Sequence, residues 1–282
     1  MGDIDIMTRY EDLKKACEQL ENAGFVKSNE SNREIVYNRN GTIVELHRRF
    51  ASLNEVRQAE YLDRLITDNI NSSHILPDPV NGLTLLEHIS QHLEHGLGIR
   101  QIIDWMMFAD RCLSDSEWPV FETMVKRVGL EKLAAVTTRM CEIYLGLPQH
   151  KWCSGADKNL CGQLMEYVLS SGNFGNKITS DSDMSESILA HASTPKAAYR
   201  LLQKQGLLNW KLAKKYRIFR PFAWIYQGFR YAYKGIRRKR ATSKIREEYK
   251  AAKKRNAMFD ALGVKMTAKG IVIIKDGEYV KE

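Results

Sequence analysis

The sequence predicts an α+β, mainly helical fold, in which a small partial sheet precedes helices and a basic helical tail. Three observations support this class: apolar and acidic residues alternate at Asp3-Ile4-Asp5-Ile6, Asn40-Gly41 separates two apolar runs, and helical spacing begins near Leu53. We expect three parts, 1–52, 53–180 and 181–282. The first would hold the sheet, the second a helical domain, and the third the basic tail with a terminal hairpin.

The N-terminal part is predicted to form a β-α-β-β core. Residues 3–7 are predicted to form a strand, and residues 10–23 a helix that ends at Gly24. Residues 35–37 and 42–47 are predicted to form a hairpin around Asn40-Gly41. Side chains of a strand alternate between its faces, so Asp3 and Asp5 should share one face. Ile4 and Ile6 should then turn into the core.

Helical spacing dominates the remainder of the chain. Pro77 and Pro79 predict a break, with Asn81-Gly82 behind it, and the acidic, serine-rich 180–187 predicts a loop. Alternation around Asp276-Gly277 predicts a hairpin over 270–280. The predicted helices are 54–71, 83–95, 98–113, 116–129, 131–146, 158–171, 195–206 and 221–256.

Composition indicates a folded cytosolic protein. The 44% hydrophobic and 9% aromatic residues are globular values, and no apolar run reaches the length of about eighteen residues that a membrane span needs. Charged residues close to Met1 interrupt any signal-peptide core. The five cysteines are scattered and form no Cys-x-x-Cys pair, which favours reduced thiols and a cytoplasmic location.

Charge is distributed unevenly along the chain. Residues 196–282 contain 24 Lys and Arg against 6 Asp and Glu, a net of +18, so the remaining residues carry a net of −9. This asymmetry joins an acidic part to a basic tail.

Three acids predict a metal site. Asp3 and Asp5 share a strand face, and Glu45 lies on a later strand. Carboxylates crowded on one sheet repel each other unless a cation is present, and carboxylate oxygens with room for phosphates suit Mg²⁺ or Mn²⁺. His47 is expected to face away from Glu45 and to pack at the rim of the site.

The ordered motifs resemble a known family. They comprise Gly2-Asp3-Ile4-Asp5-Ile6, Gly24-Phe25, Val44-Glu45-Leu46-His47, Leu86-Glu87-His88 through Asp104-Trp105, and Gly172-Asn173-Phe174-Gly175. Over about two-thirds of the chain this set resembles the uncharacterised, bacterial-type nucleotidyltransferases related to DNA polymerase beta. The resemblance implies a nucleoside triphosphate substrate, transfer of a nucleotidyl group to an unknown hydroxyl or phosphate acceptor, and Asp3, Asp5 and Glu45 as catalytic metal ligands.

The sequence also departs from that family at its beginning. The family has a helix and a Gly-Ser turn before the Asp-x-Asp strand, and only Met1 and Gly2 stand there in this chain. Either the start lies upstream of Met1 or the chain is a truncation. We expect the 282-residue chain to be a poor enzyme, since that turn presents N–H groups to the triphosphate.

Several histidines on one helix leave alternatives open. His88, His92 and His95 have the spacing of one helical face, which permits a zinc site, ordinary interhelical packing, or an acceptor pocket formed by His88, His92, Arg100 and Asp104. Gly172-Asn173-Phe174-Gly175 is interpreted as a helix-capping turn rather than a phosphate nest.

The tail has three competing interpretations. Its aromatic and basic residues, within 211–255, could dock onto the acidic part of the chain, lie on an anionic membrane surface, or bind RNA or another polyanion. Docking is the favoured interpretation. The alternative to the enzyme hypothesis is that the chain is a non-catalytic remnant that binds a membrane surface or polyanion through this tail.

Overall fold

The computed structural model describes residues 3–31, 33–53, 55–70, 75–172, 199–200, 202–203, 206–207, 209–237, 242–264, 272–275 and 278–281. The chain divides into two compact units. Unit 1 comprises Met1–Asn176, Leu262–Val264 and Ile271–Glu282, and unit 2 comprises Lys177–Ala261 and Lys265–Gly270. The three-part division expected from sequence stays a prediction.

Unit 1 begins with a four-stranded mixed sheet. Its strands are β1 (Ile4–Met7), β2 (Val26–Glu30), β3 (Glu34–Arg39) and β4 (Thr42–His47), in the order β1-β4-β3-β2. β1 pairs with β4 in parallel, whereas the β4–β3 and β3–β2 pairs are antiparallel. Asn40 and Gly41 have φ of 52° and 85°, so both central residues of the β3–β4 turn are left-handed, as a tight hairpin requires.

One face of this sheet packs against helix α1 (Leu13–Asn22). The sheet contributes the buried side chains of Ile35, Tyr37, Val44 and Leu46, all on alternate positions of β3 and β4. Partly buried residues cover them: Leu13, Ala16, Cys17, Leu20 and Phe25. The other face of β4 is thereby left for polar side chains.

Two local expectations for the sheet were wrong. Ile4 and Ile6 are 47% and 37% exposed rather than buried, because β1 lies at the end of the sheet order and α1 packs on β3 and β4. β2 was not predicted at all. All five of its residues are exposed and most are polar, so it has no apolar alternation to reveal it.

Helices follow the sheet, which confirms the α+β, mainly helical class. Their bounds in unit 1 are α2 (Val56–Asn69), α3 (Asp78–His95), α4 (Ile99–Cys112), α5 (Trp118–Val128), α6 (Glu131–Tyr144) and α7 (Lys158–Ser171). Each prediction for these six helices is confirmed within a few residues, except the start of α3.

Helix α3 begins five residues before the predicted start. Pro79 lies in its first turn, where a missing N–H costs no hydrogen bond, so this proline starts the helix instead of breaking it. Gly82 lies inside α3, at a position where the ring of Phe108 on α4 comes so close that no side chain would fit. A Cβ at Gly82 would lie 2.3 Å from Phe108 Cζ.

The basic part is helical where it is described. Unit 2 contains α8 (Lys211–Lys215), a 3₁₀ turn (Arg217–Phe222), α9 (Ala223–Arg237) and α10 (Thr242–Ala261). The described residues 223–237 and 242–256 confirm most of the helix predicted over 221–256, and residues 238–241 lie outside the described part of the chain. The terminal hairpin is confirmed as β5 (Val272–Lys275) and β6 (Glu278–Lys281), which belong to unit 1. The expected loop 180–187 and residues 173–175 lie outside the described residues, as does much of 195–206.

No helix among the described residues is both long enough and apolar enough to cross a bilayer.

Candidate functional site

The parallel pairing of β1 with β4 assembles the candidate site. Asp5 is the register partner of Glu45, and paired residues on neighbouring strands point to the same face of a sheet. His47 follows Glu45 by two residues and therefore shares that face. Glu34 on β3 pairs with His47 and adds a further carboxylate. The site lies on the face opposite α1.

The side chains on this face are within contact distance of one another. His47 Nε2 lies 2.8 Å from Asp5 Oδ1 and 3.9 Å from Glu45 Oε2, and His47 Nδ1 lies 3.6 Å from Glu34 Oε2. One ligand atom from each of Asp5, Glu45 and His47 can be chosen so that all lie within 4.8 Å. His47 itself is only 3% exposed, so its ring is fixed in this position.

Electrostatics show how crowded the carboxylates are. Burial raises the pKa of Glu45 above its ordinary value, and the negative charges of Glu34, Asp3 and Asp5 raise it further. Burial alone would also raise the pKa of Asp5, but the hydrogen bond with His47 and the charge of that ring lower it below its ordinary value. A bound cation would relieve the repulsion that Glu45 experiences.

Asp3 lies at the margin of this cluster. Its side chain is exposed, and its charge acts on Glu45 and on His88. It precedes β1 directly and keeps the alternation that places it on the face of Asp5. Asp5, Glu45 and His47 could therefore hold one cation, with Asp3 close enough to contribute charge.

A cleft of about 560 Å³ opens beside the cluster. This volume is typical of small-molecule sites. Asp5, His47 and His88 give it one polar wall. The rest is mainly apolar and comes from β1, the segment after β4, α2, α3 and the segment between these two helices. The lining residues are Asp5, Ile6, Met7, His47, Phe50, Ile66, Ile70, Ile75, Leu76, Thr84, Leu85 and His88.

Two of the predicted pocket residues reach this cleft region. His88 lines the cleft, and His92 lies one turn further along α3 with its Nε2 2.9 Å from His88 Nε2. Burial lowers the pKa of His88, against the opposing charges of Asp5, Asp3 and Asp104. The two imidazole rings therefore lie next to the carboxylates and contact each other through their Nε2 atoms.

The other two predicted pocket residues lie on α4. Asp104 is exposed but close enough for its charge to act on His88. Arg100 is exposed and is not among the described residues that line the cleft. The side chain of His95 lies outside the described part of the chain.

The segment after β4 is held by two buried acids, Asp63 and Glu87, to which the sequence patterns assign no role. The amides of Phe50 and Ala51 both donate to Asp63 Oδ1 at 3.0 Å, and the amide of Ser52 donates to Glu87 Oε1 at 2.6 Å. Asp63 and Glu87 are 1% and 0% exposed. We call this segment, Phe50–Ser52, the pinned loop.

The pinned loop connects the sheet to the cleft. Arg33 Nη2 donates to the carbonyl of Phe50 at 3.0 Å and to Gln91 Oε1 at 2.9 Å, so β3 and α3 are joined through the same loop. The Phe50 ring lies edge-on to His47, with 5.8 Å between centroids, and lines the cleft. The loop therefore fixes both a cleft wall and the ring next to Asp5.

The expectation for His47 was wrong, and the sequence contains the signal that corrects it. His47 is two residues after Glu45, not one, so strand alternation places both on the same face. The pinned loop has no comparable signal, because Asp63 and Glu87 lie on helices whose contacts with it depend on tertiary packing.

The pairing of β1 with β4 places Asp5 at the wall of a cleft of about 560 Å³ and Glu45 next to Asp5, which makes this region the candidate site. The model of a family described as uncharacterised nucleotidyltransferases matches residues 1–146, and the chain belongs to this family. No curated protein and no solved structure matches the chain. The relation to DNA polymerase beta stays a prediction.

Proposed function

We propose that this chain is a metal-dependent nucleotidyltransferase whose site is the Asp5–Glu45–His47 cluster and its cleft. The observation that supports it most is the parallel Asp5–Glu45 pairing at the wall of a cleft of about 560 Å³, in a chain of this family. Asp5 and Glu45 would hold a divalent cation, with Asp3 adding negative charge. The substrate would be a nucleoside triphosphate and the acceptor a hydroxyl or phosphate group.

The donor set fits a divalent cation. Two carboxylates supply the oxygen ligands that Mg²⁺ prefers, whereas the imidazole of His47 is a ligand that Mn²⁺ accepts more readily. When bound, the cation would supply charge neutralisation of the triphosphate and a lowered pKa of the attacking hydroxyl. With Mg²⁺ bound, His47 would orient Asp5 through their 2.8 Å contact, whereas Mn²⁺ could take the same Nε2 as a ligand in place of that contact. The apolar cleft wall would exclude water from the reacting groups.

The reaction would be an in-line displacement. An acceptor oxygen would form a bond to the α-phosphorus while the bond from that phosphorus to the bridging oxygen breaks, and pyrophosphate would leave. A hydroxyl acceptor would release its proton to water as the new bond forms, whereas an ionised phosphate acceptor has none to release. The chain's contribution is to position both groups and to balance charge, since little covalent chemistry falls to the protein in such transfers. Arg100 is not included in the proposed pocket, whereas His88 and His92 would contact the nucleotide or the acceptor.

The test compares wild type with Asp3→Asn/Asp5→Asn in thermal unfolding, with and without Mn²⁺ or Mg²⁺ and a non-hydrolysable nucleotide. We expect the cation and nucleotide to stabilise wild type and to leave the double variant unchanged. The matched control is Glu11→Gln/Asp12→Asn, which removes two exposed acids outside the site. Equal stabilisation of wild type and the site variant would contradict the proposed site.

A second comparison separates loss of the site from loss of the fold. Without metal, the Asp3→Asn/Asp5→Asn variant should lose little stability, because removal of like-charge repulsion on Glu45 offsets the loss of the charged contact between Asp5 and His47. The introduced amide keeps one side-chain oxygen at position 5, which can still accept a hydrogen bond from His47. A large drop in stability without metal would mean that these acids serve the fold instead.

Contact with an anionic surface through 211–255 is a separate proposal. It involves unit 2, whereas the cluster and cleft lie in unit 1. A catalytic unit 1 and a surface-binding unit 2 are therefore compatible with each other.

A further inference from the structure

Unit 2 contains a long stretch without negative side chains. Residues 187–246 include 16 Lys and Arg and no Asp or Glu across 60 positions. Such a stretch attracts anionic surfaces at any pH near neutrality, and the attraction weakens as salt increases. Charge of this kind does not by itself identify the anion.

Helix α9 has one face that is held within unit 2. Ala223 and Gln227 are buried, and Asn209 Nδ2 donates to Gln227 Oε1 at 3.4 Å. Gly206 lies so close to α9 that a Cβ there would be 2.0 Å from the carbonyl oxygen of Ala223. The orientation of α9 within its unit is thereby fixed.

The opposite face of α9 is apolar and exposed. Phe222, Phe229 and Tyr233 are 52%, 70% and 66% exposed. The spacing of four residues places Phe229 and Tyr233 on one side of α9, and Phe222 is the last residue of the 3₁₀ turn that leads into it. We call these three residues the aromatic face. Ile218, in the 3₁₀ turn before α9, is 75% exposed. Contiguous exposed apolar groups of this kind mark interaction sites.

The stacked Trp210–Tyr226 pair and exposed aliphatic side chains in unit 2 favour lipid over nucleic acid as the partner of the aromatic face. Recognition of single-stranded nucleic acid uses free ring faces on which bases stack. Trp210 instead stacks on Tyr226, with centroids 5.1 Å apart and planes 3° apart, and also contacts Phe219. The exposed aliphatic side chains of Ile218 and Leu212 offer no face for stacking but insert readily among acyl chains.

We propose that α9 docks this chain peripherally on an anionic phospholipid bilayer. Phe222, Phe229 and Tyr233 would enter the boundary between headgroups and acyl chains, and neighbouring cations such as Arg217 and Arg230 would contact lipid phosphates. A helix with one aromatic side and a cationic surround lies in the plane of such an interface. The inference rests on unit 2 alone and does not depend on the proposed transfer reaction.

The test measures co-flotation of the full chain with vesicles of phosphatidylcholine alone or mixed with phosphatidylserine, across a salt series. Wild type should bind the mixed vesicles and keep part of this binding near physiological salt, because insertion of apolar groups is not screened. Phe229→Ala/Tyr233→Ala should reduce that salt-resistant binding roughly tenfold or more, since two largely exposed rings no longer enter the bilayer. It should leave the low-salt electrostatic component in place.

Two control variants identify which property matters. Val120→Ala/Leu169→Ala removes exposed apolar side chains from unit 1 and should bind as wild type does. Lys211→Gln/Arg217→Gln should weaken the low-salt binding while the preference for mixed vesicles persists. Circular dichroism should confirm that all variants are folded, because each substitution lies at an exposed position.

Three outcomes would overturn the inference. Equal vesicle binding by wild type and Phe229→Ala/Tyr233→Ala would exclude the aromatic face. Absence of vesicle binding at every salt concentration would mean that this face is used within the protein or between copies of it. Salt-resistant binding to RNA that the same variant loses, without vesicle binding, would reassign the face to nucleic acid.

Discussion

Replacing Glu87 by glutamine should change how the stability of this protein depends on pH. Glu87 is 0% exposed, accepts a hydrogen bond from the amide of Ser52 at 2.6 Å and is also bonded by Gln91. Burial raises its pKa to about 7 although the charge of Arg33 opposes this shift, and the charge of Asp63 adds to it. The ordinary value is 4.5, so the carboxyl group binds its proton more tightly in the folded protein.

The sign and size of the effect follow from that difference. A group whose pKa is higher in the folded state stabilises the fold below its unfolded pKa, and this contribution is lost as pH rises through the folded pKa. The difference between 4.5 and about 7 corresponds to about 3 kcal/mol at 1.36 kcal/mol per pKa unit. Wild type should therefore lose roughly that much between pH 5 and pH 8 from this group.

Glu87→Gln cannot ionise, so this part of the pH dependence should disappear. The amide oxygen can still accept from Ser52, but the new NH₂ group faces the Nε2 of Gln91, which costs about 1 kcal/mol. The variant should then be less stable than wild type at pH 5 and more stable at pH 8, by about 2 kcal/mol. The two stability curves should cross between these values.

Urea unfolding followed by circular dichroism at pH 5, 6, 7 and 8 measures these differences. Glu60→Gln, at an exposed position on α2, is the matched control, and its curve of unfolding free energy against pH should run parallel to that of wild type. Parallel curves for Glu87→Gln and wild type would refute the reasoning. They would mean that Glu87 keeps one charge state throughout, as it would if Arg33 compensated fully for its burial.

Two further substitutions test the packing of the helices. Gly82→Ala should destabilise unit 1 by about 1–3 kcal/mol, because the new Cβ would lie 2.3 Å from Phe108 Cζ. The control Gly228→Ala, whose Cβ would have no atom within 4 Å, should be neutral or stabilising. Equal unfolding midpoints for the two variants would contradict the close approach of α3 and α4. Thr138→Val should lower the free energy of unfolding by about 1–3 kcal/mol, because the buried indole N–H of Trp105 loses its acceptor at 2.9 Å, whereas Thr138→Ser should retain that hydrogen bond. Calorimetric melting distinguishes the two variants. A smaller loss of stability for the valine variant than for the serine variant would argue against the hydrogen bond.

Sequence patterns located the candidate site because its parts depend on local rules. The alternation at Asp3 and Asp5 and the hairpin around Asn40-Gly41 fix the face and register of their strands. The parallel pairing of β1 with β4, which places Asp5 beside Glu45, is a tertiary contact that these local patterns do not predict. Strand alternation also places His47 on the same face as Glu45, so the same rule predicts that the histidine belongs to the candidate site.

Other features could not be read from local patterns. Whether Ile4 and Ile6 are buried depends on where α1 packs, and alternation is the same in edge and central strands. Asn81-Gly82 is a turn signal in isolation, but the approach of Phe108 makes glycine necessary within α3. Asp63 and Glu87 have the composition of ordinary helix surfaces until the pinned loop is placed against them.

The pairing of β1 with β4 also has a kinetic consequence. Asp5 and His47 are 42 positions apart in the chain, and α1, β2 and β3 lie between β1 and β4 in the sequence. Closing a segment of this length lowers the conformational entropy of the chain before the contacts between its ends stabilise it, so such pairings form late in folding. A cation that binds only the joined strands would therefore stabilise the completed sheet and none of its precursors. Metal-dependent refolding yields would then report the final assembly step rather than the early collapse.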